Sequence, residues 1–393
     1  MVQGTRELNR NAVLSRLLRS RPASRKQIAD ASGISAATVT RAADLLISEG
    51  VITETIEIVS ESRGRRAVQL DIVSDRSYVV GVDLGASNTR VIVADLLAHP
   101  IVAFETSTPG ALDTARLVQW LASEIREAAS AVWTQVDFIC LGLPGAVSQR
   151  ERTVSNAPNL SQVEDPNFLD DIEAALGKRV LFDNDANYAL LGEQHFGAAR
   201  SSPTAAMLTI GSGLGAGLAI DGRILQGERG LIGEFGQLPV GPLGTRLEHM
   251  VTGGGILRRA AEAGVTLTEP SELFEPDAVP ALQALRVHFD QALLIVLTAT
   301  TVSCDPQTIV LGGGIAKALT STLDRYQRAL EQNLRASPKL AVAELGDFSG
   351  AVGAVVAALH CTYAELGVEE DTILQLPGGE NLTVDKITST RSL

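Results

Sequence analysis

Leu181-Phe182-Asp183-Asn184-Asp185-Ala186-Asn187-Tyr188-Ala189-Leu190-Leu191-Gly192-Glu193 places acids and amides where an apolar run ends and a helix begins. A strand is expected over residues 179–182 and a helix from about Ala186, so Asn184 and Asp185 stand at a strand end facing a helix N-terminus. Open α/β sheets bind ligands at the C-terminal ends of their strands. A carboxylate there can take a proton from a bound hydroxyl, which is what phosphoryl transfer to an alcohol needs beyond positioning and charge neutralisation. The plainer reading is that Asp185 caps the helix. Other parts of the chain weigh between the two.

Its 393 residues suit two or three domains. A hydrophobic content of 45% with 36 glycines and few aromatics fits an α/β protein with many tight strand-to-helix turns. The net charge of -13 argues against nucleic-acid binding along the whole chain. It hides an asymmetry: residues 1–41 carry eight Lys or Arg against two Asp or Glu, and Arg63-Gly64-Arg65-Arg66 is a second basic cluster. A basic patch on an acidic body suggests a DNA-facing module carried by a body with another task. Cys140, Cys304 and Cys361 lie in apolar surroundings without metal-type spacing and read as core thiols of a reducing compartment. No apolar leader or run of about 20 apolar residues is evident, so a cytoplasmic protein without a membrane span is expected.

Leu8, Val13, Leu14, Leu17 and Leu18 recur at helical spacing. Ser24 then precedes a short second helix, Gly33-Ile34-Ser35 makes a turn, and Ser35 caps a third helix running to about Glu49. Ile28, Ala29, Ile34, Val39 and Leu45 or Leu46 form the expected core. Ser35, Ala36, Ala37, Thr38, Thr40 and Arg41 are small or hydroxylated residues and a guanidinium, suited to a major groove. Residues 51–58 and 68–72 alternate as two strands, with Arg65 and Arg66 at a wing tip near phosphates or the minor groove. The expectation is a winged helix-turn-helix over residues 1–72; a tri-helical interaction domain with a solvated basic face is the alternative. Residues 72–77 form a short polar connection.

The body begins at Tyr78. Asp83-Leu84-Gly85-Ala86-Ser87 joins two apolar strands, with Gly85 and Ser87 placed to let backbone N–H groups approach a phosphate and Asp83 to hold a metal ion through water. Gly211-Ser212-Gly213 makes a second such turn, and Gly312-Gly313-Gly314 a third at a helix entrance. Three glycine turns at strand ends with an acidic pair between them describe a nucleotide cleft. Residues 254–263, 282–301 and 349–366 read as helices, the last packing against the nucleotide lobe. The segment 367–393 reads as a polar tail.

With Leu143-Pro144-Gly145, Ala157-Pro158-Asn159-Leu160, Asn184-Asp185-Ala186-Asn187 and Gly233-Glu234-Phe235-Gly236 in order between these turns, the chain resembles the ROK family of repressors and sugar kinases from Leu8 to about Glu365. The resemblance implies an actin-like, ribonuclease H-like fold of two related lobes over residues 78–366, behind a winged helix of regulator type. It implies Asp185 as catalytic base if the chain is an enzyme, and Gly145, Asn159, Asn184, Glu234, Gln237 and Glu248 as sugar contacts. Asp83, Gly85, Ser87, Gly211, Ser212, Gly213, Gly313 and Gly314 would hold ATP and Mg²⁺.

Two departures stand out. Many members of the family have a histidine where this chain has Gln237, and a cysteine cluster before the second glutamate that joins it on a structural zinc. Here that run is Pro239-Val240-Gly241-Pro242-Leu243-Gly244-Thr245-Arg246, so no zinc is expected. Ala86-Ser87-Asn88 also replaces the usual Gly-Thr-Lys of the kinases. The expected function is a sugar-responsive transcriptional regulator, a repressor binding operator DNA as a homodimer or homotetramer with a sugar or sugar phosphate as effector. An ATP-dependent sugar kinase is the alternative.

Overall fold

The computed structural model describes residues 2–56, 68–241, 244–275 and 279–390. Three helices open the chain: α1 (Val2–Arg19), α2 (Arg25–Ser32) and α3 (Ala36–Ser48). Ser24 caps α2 in a reciprocal box with Gln27, Gly33 turns the chain, and Ser35 caps α3 by accepting from the Thr38 amide. Strands β1 (Ala23–Ser24), β2 (Ile52–Ile56) and β3 (Val68–Ile72) form a small antiparallel sheet in the order β1-β3-β2. Val13, Leu14, Leu17, Ile28, Val39 and Leu46 make the core of this unit. Leu8, read as part of the apolar stripe, is 63% exposed, unlike Val13, Leu14, Leu17 and Leu18 later on α1.

The first lobe contains β4 (Tyr78–Leu84), β5 (Asn88–Asp95), β6 (Pro100–Ser107), α4 (Thr114–Ala128), β7 (Val136–Leu143), a hairpin of β8 (Ala146–Ser148) and β9 (Thr153–Ser155), α5 (Phe168–Leu176) and β10 (Val180–Asn184). Helix α6 (Asp185–Phe196) leads away from it. The second lobe holds β11 (Ala205–Ile210), β12 (Leu214–Ile220), β13 (Arg223–Ile224), α7 (Glu248–Val251), α8 (Gly253–Glu262), α9 (Pro280–Cys304), β14 (Thr308–Gly312), α10 (Gly314–Leu319), α11 (Leu323–Asn333) and β15 (Lys339–Val342). Helix α12 (Ser349–Glu365) returns to the first lobe, followed by α13 (Glu370–Ile373) and α14 (Val384–Ser389).

The two five-stranded sheets repeat one plan. In the first the order is β6-β5-β4-β7-β10, and in the second β13-β12-β11-β14-β15. In each, three antiparallel strands are followed by two parallel ones. The near-continuous apolar runs of β4, β7, β11 and β14 follow from burial on both faces.

Helices α6 and α12 cross between the lobes at a distance only glycine allows. A side chain on Gly353 would overlap the Tyr188 carbonyl, and one on Gly192 would sit 2.5 Å from the Ser349 oxygen. Helix α12 packs on β4 and β7, on the sheet of the first lobe.

The segment read as a polar tail is packed. Leu376, Leu382 and Ile387 are buried, and Asn381 Nδ2 donates to the Leu97 carbonyl at 2.9 Å. Its sparse apolar residues hid this in sequence, since they follow no helical or strand period. One apolar cluster runs from Val13, Leu14 and Leu17 of α1 through Tyr363 of α12 to Leu366, Ile373 and Leu376. Arg10 Nη1 donates to the Leu366 carbonyl at 2.7 Å and Arg19 Nη2 to Thr372 Oγ1 at 2.9 Å, so the N-terminal unit is seated on the end of α12.

By length and composition α9 is apolar enough to cross a membrane, which the sequence reading did not anticipate. Half of that window is buried, with Leu293, Val296 and Leu297 in the core of the second lobe.

Candidate functional site

A cavity of about 750 Å³ opens between the lobes. All candidate sugar and phosphate residues line it: Asp83 near the end of β4 with Gly85 and Ser87 after it; Gly145 and Asn159 beyond β7; Asn184 and Asp185 at the end of β10; Gly211, Ser212 and Gly213 after β11; Glu234, Gln237 and Glu248; Gly313 and Gly314 after β14. Chain order scatters these groups over more than half of the sequence. The paired sheets bring their strand ends to one place.

Asn184, not Asp185, caps α6. Its Oδ1 accepts from the Ala186 and Asn187 amides at 2.9 and 3.3 Å, while its Nδ2 donates to the Gly145 carbonyl at 2.8 Å. Asp185 accepts from the adjacent Ala186 amide at 2.7 Å and lines the cavity. Asp183 is fixed behind it, accepting from Asn187 Nδ2 at 2.8 Å and from Gln226 Nε2 of the second lobe at 2.7 Å. Burial raises the Asp183 pKa.

Burial is also the main reason the Asp185 pKa is pushed up to about 7, with Asp83 adding to it. Asp83 rises to about 6 through burial, against the pull of Arg90, whose Nη1 lies 3.6 Å from Asp83 Oδ2. Glu234 is pushed up to about 7 by burial and by Glu248. A carboxyl with a pKa near neutrality can accept or give up a proton under ordinary conditions. Ala86 and Ser87 stay out of the left-handed region, so the altered loop keeps its turn without strain.

Sequence reasoning missed three residues. Arg90 lines the cavity, pairs with Asp83 and Glu105, and keeps a buried Nε without a partner. The signal was its inward position on β5 opposite Asp83, legible only once the register is known. Lys317 on α10 lines the second lobe's rim and pairs with Asp347 at 2.6 Å. Glu193 is fully buried on α6. Its carboxylate accepts from the Ala198, Glu344 and Leu345 amides and from Ser349 Oγ at 2.7–3.1 Å, tying the cavity-lining turn at Gly346 to the helix that starts with Asp185.

The donor set at the zinc position of the resemblance does not fit that metal. Gln237 and Arg246 offer an amide and a cation, and residues 239–246 contain no thiol or imidazole. Among the described residues no group of three or more His, Cys, Asp or Glu side chains could hold a metal ion.

The candidate DNA residues Ser35, Ala36, Ala37, Thr40 and Arg41 are exposed at the start of α3, and Thr38 is half-buried beside them. Arg65 and Arg66 lie outside the described residues.

The profile of the ROK family matches residues 79–360. The chain belongs to the ROK family. A xylose repressor of Caldicellulosiruptor bescii is 29% identical over 238 residues, 60% of this chain and 59% of that one. The bifunctional enzyme NanE/NanK of Brucella suis is 39% identical over 195 residues, 48% of this chain, which spans only 36% of that enzyme's length. Among solved structures, the ROK hexokinase of Thermus thermophilus matches with a TM-score of 0.62 at 31% identity, covering 74% of this chain and 99% of its own. A ROK family transcriptional regulator described as a homologue of E. coli MLC shares the fold over 94% of this ROK protein and 99% of its own chain, with a TM-score of 0.72 at 22% identity. Both repressors and sugar kinases are thus among the similar proteins.

Proposed function

We propose that this ROK protein is a cytoplasmic, DNA-binding transcriptional regulator of carbohydrate metabolism, a repressor that works as a homodimer and takes a sugar or sugar phosphate in the cleft between its lobes. Residues 1–72 are its winged helix-turn-helix, 78–366 its ROK body, and 367–393 a C-terminal extension. The observation that carries this reading is the exposed start of α3, where Ser35, Ala36, Ala37, Thr40 and Arg41 face outward from a capped helix-turn-helix seated on an acidic body. Small residues there let a helix enter a major groove, and Arg41 can meet a base edge or phosphate. Arg65 and Arg66 add two further cations to the basic sequence of this unit. An effector held between two lobes changes DNA affinity if it binds one lobe arrangement more tightly than the other.

The second reading is an ATP-dependent sugar kinase, favoured by the half-buried, cavity-lining Asp185, whose carboxyl is pushed up to a pKa of about 7 by burial. In that reading bound ATP with Mg²⁺ supplies the phosphoryl group. Asp185 takes the hydroxyl proton of the sugar, and the turns at Gly85, Gly213 and Gly313 offer backbone N–H groups to the phosphates. The Arg90 guanidinium beside Asp83 opposes a divalent cation there, which weighs toward the regulator.

The test is binding of operator-type DNA at fixed salt, titrated with hexoses, N-acetylated amino sugars and their 6-phosphates, with ADP followed in the same samples. A sugar that changes DNA affinity without ADP formation supports the regulator. ADP that disappears in Asp185→Asn supports the kinase. Arg41→Ala is expected to weaken specific DNA binding about tenfold or more, and undiminished binding would remove α3 from the interface.

A further inference from the structure

Residues 238–241 and 244–247 run between two cavity residues, Gln237 and Glu248, and are joined by bonds within the chain. Pro239 bridges to Arg246, the Val240 amide donates to the Thr245 carbonyl at 3.1 Å, and the Leu247 amide donates to the Leu238 carbonyl at 3.0 Å. Arg246 Nη1 donates to Gln237 Oε1. In the resemblance this stretch is where a histidine and cysteines share a zinc. Here the position is taken by a guanidinium, which has no lone pair for a metal and repels one by its charge.

The arginine has a consequence beyond closing the hairpin. A guanidinium only donates, so it can hold Gln237 by its amide oxygen alone. The planar side chain then leaves Nε2 as its remaining donor, Gln237 lines the cavity, and no protein acceptor for that nitrogen is found among the described residues. Glu234 and Glu248, both lining the same cavity, offer acceptors, and Glu248 Cβ lies where a Cβ on Gly236 would approach within 3.3 Å. With Arg246 in place, this wall presents a donor together with two carboxyls.

We infer that Arg246 is a specificity-determining positioning residue, which fixes the amide of Gln237 as a donor toward the ligand and closes the hairpin without a metal. It rests on the sugar-binding reading proposed above. The chemistry selected is a polyol that gives hydroxyl protons to the two carboxyls and presents an acceptor oxygen, a hydroxyl lone pair or an acylamino carbonyl, to Gln237. Arg246 acts through Gln237 and does not touch the ligand.

The test uses the full-length protein and its Arg246→Ala, Arg246→Lys and Gln237→Ala variants. Protein prepared with added zinc is assayed for bound metal, and amide exchange is followed over residues 238–247. D-glucose and N-acetyl-D-mannosamine serve as a plain and an acylamino hexose in binding titrations. Zinc well below one per chain is expected, with at least threefold faster exchange confined to the hairpin in Arg246→Ala and most protection restored in Arg246→Lys. The ratio of the two sugar affinities should move at least fivefold in Arg246→Ala and in the same direction in Gln237→Ala. Stoichiometric zinc, unchanged exchange, or an equal loss for both sugars would overturn the inference. If the unaltered protein binds neither sugar, the sugar reading fails for these classes, while metal content and exchange still decide whether Arg246 closes the hairpin.

Discussion

The two lobes share a strand order but not a strand-end chemistry. In the first, the ends of β4, β5 and β10 bring Asp83, Arg90 and Asp185 into the cavity; in the second, the ends of β11 and β14 bring glycines. At the strand ends the first lobe supplies charge and exchangeable protons and the second closely approachable backbone, while the second lobe's own cavity charges, Glu234, Glu248 and Lys317, come from segments outside its strands. The same scaffold can carry both because strand-end residues do not hold the sheets together. Substitutions should therefore act in opposite directions on the two sides.

The largest effect is expected from Gly313→Val. Gly313 has a φ of +84°, and a Cβ there would stand 2.5 Å from the Ile210 carbonyl, so valine meets both backbone strain and a fixed neighbour. A loss of about 3 kcal/mol in chemical denaturation is expected, and a loss under about 1 kcal/mol would show that the second lobe's turn does not depend on glycine.

On the first lobe the sign reverses. Asp185 has its folded pKa raised to about 7 from an ordinary 3.8, so the fold retains a proton that the unfolded chain has released. Its stabilising contribution is fully present below about pH 4 and is lost as pH rises through 7. Asp185→Asn should therefore be more stable than the parent at pH 8, by on the order of 1 kcal/mol for this half-buried group, with the difference vanishing near pH 4. Stability measured across that range checks it, and a variant less stable at pH 8 would mean that the carboxylate is held by favourable partners.

The smallest effect tests the rim. Lys317→Ala removes an exposed pair with Asp347 and should cost less than about 0.5 kcal/mol of stability. A larger loss would make the second lobe's edge depend on charge as the first lobe's does.

Much of the cleft was legible in the chain. Glycine turns and the Asn184-Asp185 pair follow local backbone needs, and local needs are written in adjacent residues. The capping of α2 and α3 was legible for the same reason. The cap on α6 was not: the helix begins at Asp185, one residue earlier than expected, directly after a strand that runs to Asn184, so Asn184 is the N-cap and Asp185 is its first helical residue, lining the cavity. The segment after Leu366 was misread because its buried residues answer to α1 and α12, not to a period of their own.

By itself the sequence determined the order of strands, turns and helices, the basic module on an acidic body, and the residue types at the cleft. Only the tertiary structure decided that the two sheets repeat one plan, that Arg90 faces Asp83, that Arg246 orients Gln237, and that Glu193 ties α6 to a turn more than 150 residues away, 156 in the case of Ser349. Propensity and spacing act over a few residues, whereas a buried carboxylate takes whichever donors packing brings within 3 Å of it.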